Sequence, residues 1–503
     1  MTGKKLRAVI ITGASGFIGR YLVDQMKKEF RIYAFARRTQ RDARVAQHEN
    51  IHWVLVDISQ EQLLAQTMAE ISAAGTIDFI IHLAAYYEFG NQPHPSYEST
   101  NVFGTRLLLE HARQMKIKRF LFASSLVASK YPAPGEFITE QSSPDAGYPY
   151  AVSKRAGEAL VAEYSQYFPC ATIRFAAVFS DWCEYLPLYF FFRTWLSRRW
   201  NSRIIAGRGE SALPYIHINC LLKLIHQILV KTAKLGDNEM FIASSDQPVS
   251  HLEFFNLTTR YFYGKNKRSI FLPKYLAWIG IAVRDLCGRL IGRRPFERLW
   301  MVAYIDKVFA SDSSYTREKL DWQPLNRHSI QRRLLFMIEN LKSSPQEWQQ
   351  KNTARMVSPS GRRSNLVLAE EMISMRVDIM ELVLQFILDP RRAGIFRYYQ
   401  NLEEERVRYY IEVVYNHLIS SVRNGDRSLM ISFAQSLAHA RYSEGVRRSE
   451  LCAALKATGD TIEEALKANP RLRNIDILIH DYIILALQLA MDEVKDTYDQ
   501  LCQ

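Results

Sequence analysis

Ala8-Val9-Ile10-Ile11-Thr12-Gly13-Ala14-Ser15-Gly16-Phe17-Ile18-Gly19 decides how the first two-thirds of this chain folds. Ala8–Ile11 reads as a short buried strand, and an amphipathic helical pattern, Ile18–Phe30, begins within the glycine-punctuated stretch that follows it. Each glycine has its own reason. Gly13 permits a tight turn, Gly16 lets backbone approach a pyrophosphate, and Gly19 lets the helix lie close on the strand. The start of the helix then offers N–H groups and a partial positive charge to phosphates. With Ser15, Phe17 and Ile18 between and beside the glycines, residues 13–19 are the expected dinucleotide cradle.

Outward from that loop the alternation continues. Strand-like runs at Ile32–Ala36, Ile51–Val56, Phe79–Leu83, Phe120–Ala123 and Thr172–Phe175 are separated by helical patterns at Glu61–Ala74, Asn101–Met115 and Tyr150–Tyr167. Short apolar strands between amphipathic helices predict an α/β fold, a Rossmann-type doubly wound parallel sheet over residues 1–180. Residues 181–342 are more irregular and richer in aromatic and basic side chains, the expected substrate-binding region, with some segments returning to the Rossmann core. Ser343-Ser344-Pro345, Gln349-Gln350-Lys351-Asn352 and Ser358-Pro359-Ser360-Gly361 predict a linker over 343–364 with no packed face. Residues 365–503 are helical in pattern, and punctuation at Asp389-Pro390, Asn424-Gly425, Gly459-Asp460 and Asn469-Pro470 predicts a separate all-α domain of five or six helices.

At 503 residues the chain exceeds one ordinary core, and 48% apolar with 23% charged residues is a soluble globular composition. Cys170, Cys183, Cys220, Cys287, Cys452 and Cys502 are scattered without a C-x-x-C pair, which argues for a reducing compartment and against a metal site or disulfide scaffold. The N-terminus lacks the apolar run and cleavage site of a signal peptide, and Ile270–Val283 is too short, and interrupted by Lys274, to span a bilayer. A cytoplasmic protein is expected. Of the net charge of +13, residues 261–300 hold nine Lys/Arg (Lys265, Lys267, Arg268, Lys274, Arg284, Arg289, Arg293, Arg294, Arg298) against Asp285 and Glu297, a balance of +7. Residues 361–503 count to −3, so the basic character belongs to the first part of the chain. Its anionic partner is a phosphate-rich ligand or a membrane surface; nothing resembles a nucleic-acid reading module.

The end of the second strand selects the dinucleotide. An acidic residue there would bind both ribose hydroxyls of NAD, whereas an arginine would pair with the 2′-phosphate of NADP. Phe35-Ala36-Arg37-Arg38-Thr39 carries no carboxylate, so Arg37 and Arg38 favour NADP(H), with NAD(H) as the alternative. Asp57, after the third strand, is placed to accept from the adenine amino group. Tyr150 and Lys154 stand four apart on one face of a helix. A free phenol, with a pKa of about 10, is a poor acid or base at neutral pH. A lysine ammonium one turn away and the positive ring of an oxidised nicotinamide would stabilise its phenolate. Tyr150 would then exchange a proton with a substrate hydroxyl or carbonyl, and Lys154 would also bind the nicotinamide ribose.

Thr12–Gly19, Asp57-Ile58, His82-Leu83-Ala84-Ala85, Asn101-Val102-Phe103-Gly104-Thr105, Phe122-Ala123-Ser124-Ser125, Pro149–Lys154 and Tyr215-Ile216-His217-Ile218 stand in an order that resembles the extended short-chain dehydrogenase/reductases. That family includes nucleotide-sugar epimerases and 3β-hydroxysteroid dehydrogenase-like enzymes, and the resemblance spans residues 6–340. It implies an NAD(P)-dependent enzyme whose catalytic serine, 25 positions before the tyrosine, is Ser125 and not Ser124. It also implies dinucleotide contacts from Ile58, Leu83, Ala84, Ala85, Asn101 and Val178. Departures narrow the chemistry. Leu126 and Val127 follow Ser125 where the family's dehydratases carry an acidic pair, which argues against dehydration. Ala177 and Leu213 stand where sugar-nucleotide enzymes place an asparagine and an arginine for the diphosphate, and Asn219 replaces a usual acid.

Two stretches are unusually apolar. Tyr185–Phe192 leads into Arg193, Trp195, Arg198, Arg199 and Trp200, and Leu276, Ile279, Val283, Leu286 and Leu290 form a helical stripe. Either is a core-facing helix with a solvated basic side, or an apolar lid that touches an anionic membrane peripherally. The expected activity is hydride transfer between nicotinamide and a hydroxyl or carbonyl of a large apolar substrate, lipid-, steroid- or polyketide-like, in keeping with the steroid-dehydrogenase-like branch. The alternatives are a nucleotide-sugar epimerase and an NAD(P)-sensing regulator with a helical output domain; a homodimer is left open. Phe433-Ala434 to Gly445 and Arg448–Leu455, within helical patterns at Leu402–Leu418, Leu429–His439, Val446–Ala457 and Asp476–Val494, resemble the helical input domains of bacterial stress-response regulators.

Overall fold

Strands that are apolar along their whole length must be covered on both faces, and the computed structural model, which describes residues 6–88, 91–290, 295–353 and 363–502, builds its first part on that rule. The chain runs β1 (Arg7–Thr12), α1 (Phe17–Met26), β2 (Phe30–Ala36), β3 (Ile51–Leu55), α2 (Glu61–Ala74), β4 (Phe79–His82), α3 (Gly104–Gln114), β5 (Arg119–Ser125), α4 (Pro149–Tyr164) and β6 (Cys170–Phe175). Val9, Ile11, Phe30, Ile32, Phe79, Ile81, Leu121 and Ile173 meet in one core, each such side chain contributing about 1.5–3 kcal/mol of burial. Phe30 opens β2 opposite Arg7 instead of closing the first helix, because a turn over Lys27–Glu29 has already reversed the chain. The third helical pattern divides: Tyr97–Phe103 is a π-helical turn, and α3 starts at Gly104.

The irregular middle contributes β7 (Ala177–Phe179), α5 (Leu186–Trp195), β8 (Ile204–Ala206), β9 (Ala212–Leu213), β10 (Tyr215–His217), α6 (Ile218–Val230), β11 (Asn238–Ala243), β12 (Val249–Ser250), α7 (His251–Tyr263), β13 (Ile270–Leu272), α8 (Lys274–Leu290), α9 (Ser314–Leu320), α10 (Ile330–Ser343) and α11 (Pro345–Thr353). The seven-stranded sheet has the order β11-β6-β5-β4-β1-β2-β3. The pairings of β1 with β2 and β4, of β4 with β5, and of β6 with β5 and β11 are parallel. This is the expected doubly wound sheet, with its topological switch between β1 and β4, where such sheets open a crevice at their carboxyl ends. Three small pairs, β7 with β10, β9 with β12 and β8 with β13, lie outside it.

The two apolar stretches behave oppositely. α5 is core: Leu188, Tyr189, Phe192 and Trp195 are buried among Phe254, Phe255 and Trp348. The stripe on α8 is exposed, and the buried residues of that helix are Ala277, Asp285 and Gly288. Residues 345–353, expected to pack no face, form α11 with Trp348 and Asn352 buried, because Trp348 finds the rings of Tyr189 and Phe192.

The chain divides into two compact units, a first (Met1–Ala36, Gln40–Val54, Ile71–Ser360) and a second (Arg37–Thr39, Leu55–Glu70, Gly361–Gln503). The second holds α12 (Ser364–Ser374), α13 (Arg376–Leu388), α14 (Arg397–Gln400), α15 (Glu404–Asn424), α16 (Ser428–Ser443), α17 (Arg448–Ala468) and α18 (Asp476–Leu501) around a core that includes Met372, Val383, Tyr415, Leu418, Ala438 and Ile483. Gly459 does not end a helix. It sits inside α17, where a Cβ would come within 2.8 Å of Leu487 on α18, so the glycine serves close helix packing. A cavity of about 230 Å³ opens in this unit beside Tyr399, Val414, Phe433, Leu437 and Arg441. The same unit carries the N-terminal half of α2: the Glu370 carboxylate accepts the N–H groups of Gln62 (3.1 Å) and Leu63 (2.7 Å), and the Arg423 guanidinium donates to the Leu55 carbonyl (2.7 Å) and the Thr67 hydroxyl (2.8 Å).

Candidate active site

The turn after β1 is shaped by absence of side chains. Gly13 adopts φ +69°, and a Cβ there would stand 2.8 Å from the Ala84 nitrogen. A Cβ on Gly19 would come within 2.3 Å of the Gly13 carbonyl, so α1 can rest on the turn only through a glycine. Gly16 caps α1 with no side chain bonded to the helix start. The cradle that a Cβ would fill, opening on a helix N-terminus, fits the pyrophosphate of a dinucleotide. Ser15, Phe17 and Ile18 lie in this turn and the first turn of α1; Phe17 is buried and Ile18 packs on the core. In the second unit, Arg37 and Arg38 directly follow β2. Asp57 is buried, its carboxylate accepting from Ser59 and standing 3.5 Å from the Arg37 guanidinium, and Ile58 is buried beside it.

Beneath the crevice runs a chain of hydrogen bonds with one direction. The Ala84 N–H donates to the Thr12 hydroxyl (3.1 Å), which stands 2.7 Å from His82 Nδ1. His82 Nε2 lies 2.8 Å from the Thr105 hydroxyl, which donates to the Asn101 carbonyl (2.7 Å). The one Thr105 proton goes to Asn101, so Thr105 must accept from His82 Nε2, and a neutral imidazole then takes the Thr12 proton at Nδ1. Its one proton then sits on Nε2. Burial, reinforced by the Lys154 charge, pushes its pKa down to about 3. The Asn101 side chain is fully engaged within the protein, with Tyr86 N–H at 2.6 Å, the Tyr86 carbonyl at 3.0 Å and the Ser153 hydroxyl at 2.9 Å. It fixes the Tyr86 backbone just beyond Leu83, Ala84 and Ala85.

At the carboxyl end of β5 the strand's alternation sends its two serines different ways. Ser124 is buried and donates to Glu158 (2.5 Å), which Arg174 grips through two nitrogens at 3.0 and 2.8 Å. Ser125, half-buried, is the last strand residue before the helical turn Leu126–Ala128. Pro149 opens α4 at its first position, which puts Tyr150 in the first turn and Lys154 one turn on. Lys154 is buried, its Nζ donating to the Ala123 carbonyl (2.7 Å) and lying 6.0 Å from the Tyr150 ring centre. Burial lowers its pKa to about 8, against the upward pull of Glu158. Of the three residues expected from the sequence, Ser125 ends β5 and Tyr150 and Lys154 share the start of α4, with the ammonium held by the carbonyl of Ala123, two residues before Ser125.

The sequence profile described as the NAD dependent epimerase/dehydratase family matches residues 9–243. A Bacillus subtilis protein named as an uncharacterized UDP-glucose epimerase is 28% identical over 245 residues, 46% of this chain and 74% of that one. The UDP-glucose 4-epimerase of Thermotoga maritima, solved with UDP-glucose, superposes with a TM-score of 0.52 at 19% identity, covering 67% of this chain and 100% of its own. The dTDP-glucose 4,6-dehydratase of Bacillus anthracis, solved with NAD, gives 0.52 at 17%, covering 69% and 99%. At these identities the two structures establish the fold.

Two groupings in the first unit escaped the sequence reading. The first is aromatic: the Tyr87 ring lies 4.5 Å and the Tyr97 ring 6.4 Å from Tyr150, the Tyr131 ring lies tilted 4.6 Å from Tyr304, and the Tyr148 hydroxyl donates to the Val127 carbonyl (2.8 Å). Tyr87 is 44% exposed, with the phenols of Tyr148, Tyr150, Tyr185 and Tyr97 around it. Burial pushes the phenols of Tyr87, Tyr131 and Tyr148 up, so they stay neutral. Tyr86-Tyr87 following Ala85 at a strand's carboxyl end was the signal. The second is Glu184, wholly buried, which receives Arg20 (2.9 Å), Tyr21 (2.9 Å) and Ser180 (2.7 Å) and whose N–H donates to Asn352 (2.8 Å). It ties α1 and α11 to the loop after β7, where Val178 is buried opposite Ile216; no sequence pattern announces it. Ala177 and Leu213 are half-buried and bring no donor side chain.

Proposed function

We propose that the epimerase/dehydratase domain is an oxidoreductase of the short-chain dehydrogenase/reductase type, acting on a hydroxyl or carbonyl of a large apolar substrate. When bound, the dinucleotide supplies or accepts a hydride. The glycine turn at 13–19 and the N-terminus of α1 hold its pyrophosphate, and Arg37 and Arg38 take a 2′-phosphate, so NADP(H) is the proposed cofactor and NAD(H) the alternative. Ser125 holds the substrate oxygen by a hydrogen bond. Tyr150 gives that oxygen a proton during reduction or takes one during oxidation, and the Lys154 ammonium beneath the ring stabilises the phenolate form. The observation that carries this reading is the Lys154 ammonium held by the carbonyl of Ala123, two residues before Ser125 on β5, one turn along α4 from Tyr150.

The neutral phenols of Tyr87, Tyr131 and Tyr148 support an apolar substrate, as does the absence of a donor at Ala177 and Leu213. A second reading, epimerisation of a nucleotide sugar through a transient ketone, is favoured by the names of the relatives in Bacillus subtilis and Thermotoga maritima. An apolar substrate dissolved in lipid would also bring the protein to a membrane surface peripherally. The experiment follows absorbance at the reduced-nicotinamide band with apolar secondary alcohols and ketones and, separately, UDP-glucose. Net cofactor turnover with the apolar set is the expected result. Conversion of UDP-glucose without net turnover would replace this reading with the second.

A further inference from the structure

A stripe of apolar side chains at helical spacing normally marks the face that a helix turns to its core. Helix α8 does the reverse. Trp278 is 52% exposed, Ile279 50%, Val283 54%, Leu286 61% and Leu290 81%, while the inner face rests on Ala277, Gly288 and Asp285, whose carboxylate is held by Arg289 at 2.9 Å. The surface continues beyond the helix. Pro273 joins α8 to β13, where Ile270 and Phe271 are exposed, and β13 pairs with β8, which the turn bearing the exposed Trp200 enters directly. Soluble chains rarely leave so much connected apolar surface open to water without a use for it.

Charge identifies the partner. Residues 185–209 contain five cations and residues 254–284 six, and neither stretch holds a carboxylate. Arg193, Arg198, Arg199, Lys265, Arg268 and Lys274 are exposed around the apolar strip. A symmetric pairing of two copies through this face would set these cations against their own duplicates. A bilayer bearing anionic headgroups meets both features at once. Among the described residues no helix is long and apolar enough to cross a membrane, but a helix with an apolar stripe and a basic border lies in the interface plane.

We propose that the outer face of α8, continued by Phe271 and Trp200, docks this chain on an anionic lipid surface. Trp278, Ile279, Leu286 and Leu290 enter the headgroup–acyl boundary, and the surrounding lysines and arginines meet the headgroups. The proposal stands apart from the substrate reading, since binding is measured without turnover.

The test is co-sedimentation of the full chain with vesicles of phosphatidylglycerol and phosphatidylcholine, and with phosphatidylcholine alone. Binding to the anionic vesicles at low salt, weakened as salt rises, is expected, with little binding to the neutral ones. Arg268→Gln and Lys274→Gln should each weaken it about fivefold. The triple variant Trp278→Ser, Leu286→Ser, Leu290→Ser should abolish it while keeping the wild-type thermal unfolding profile. Brominated acyl chains should quench wild-type tryptophan fluorescence more than that of Trp278→Phe. Absence of binding at low salt, equal binding to neutral vesicles, or undiminished binding by the triple variant would each overturn the proposal. So would self-association of the wild type that the triple variant loses while its vesicle binding persists.

Discussion

Tyr150 and Lys154 sit on one helical turn but their roles separate by what each can reach. The tyrosine hydroxyl serves the substrate oxygen alone, so Tyr150→Phe should cut turnover by about 10²–10⁴-fold and leave dinucleotide affinity unchanged. Lys154→Ala should damage both, and equal loss of dinucleotide affinity in the two variants would refute the assignment. The lysine also predicts a pH dependence. An ammonium is charged below its pKa, and burial sets that of Lys154 at about 8, so dinucleotide affinity should fall as pH rises through about 8, and Lys154→Met should flatten the titration. At the end of β2 the choice of cofactor rests on two guanidiniums. Arg37→Ala with Arg38→Ala should weaken NADP much more than NAD, and tighter NAD binding by the wild type would remove the preference.

At the scale of elements, the His82 chain joins β1, β4 and the turn before α3 through a neutral imidazole. Its pKa is depressed from 6.5 to about 3, so between those values the unfolded chain binds a proton that the folded one refuses. Stability from this group is therefore complete above pH 6.5 and lost as pH falls toward 3, a cost on the order of a few kcal/mol. His251, lowered to about 4 by burial, acts in the same direction. Urea unfolding at pH 7.5, 6 and 5 should show this slope, and His82→Gln should reduce it; an unchanged slope in the variant would mean that the histidine is not the group. The sheet, its glycine turn and the trio were legible because each is written in local spacing: apolar runs, three glycines, a tyrosine and lysine four apart. What was not legible depends on partners distant in sequence. Periodicity locates the α8 stripe without telling whether it turns inward or outward. Trp348 sits in a polar stretch that reads as linker, and packs only because Tyr189 and Phe192, more than 150 residues earlier, offer their rings. Gly459 reads as a stop, yet its missing side chain is what Leu487 fills.

At the scale of the molecule, the second unit combines the helices after residue 363 with the segment that carries Asp57 and the start of α2. Its grip on that segment is specific. Glu370 caps the first N–H groups of α2, and burial raises its pKa, with those two N–H groups opposing. Arg423 spans the Leu55 carbonyl and the Thr67 hydroxyl, and Gln60 donates to the Leu366 carbonyl at 3.0 Å. These contacts bracket Asp57, which faces Arg37 within the same unit. Residues proposed to hold the adenosine end of the dinucleotide are thus positioned by side chains that lie more than 300 residues later and do not touch it. Arg423→Ala and Glu370→Ala should therefore weaken dinucleotide binding by about 0.5–2 kcal/mol, a few-fold to some thirtyfold in dissociation constant. Turnover at saturating dinucleotide should change little, since Ser125, Tyr150 and Lys154 belong to the other unit. Titration of each variant, with its unfolding curve measured alongside, decides the matter. Weaker binding together with retained stability would establish the helices as a positioning support for the cofactor segment, whereas wild-type affinity in both variants would mean that the loop around Asp57 holds its geometry unaided.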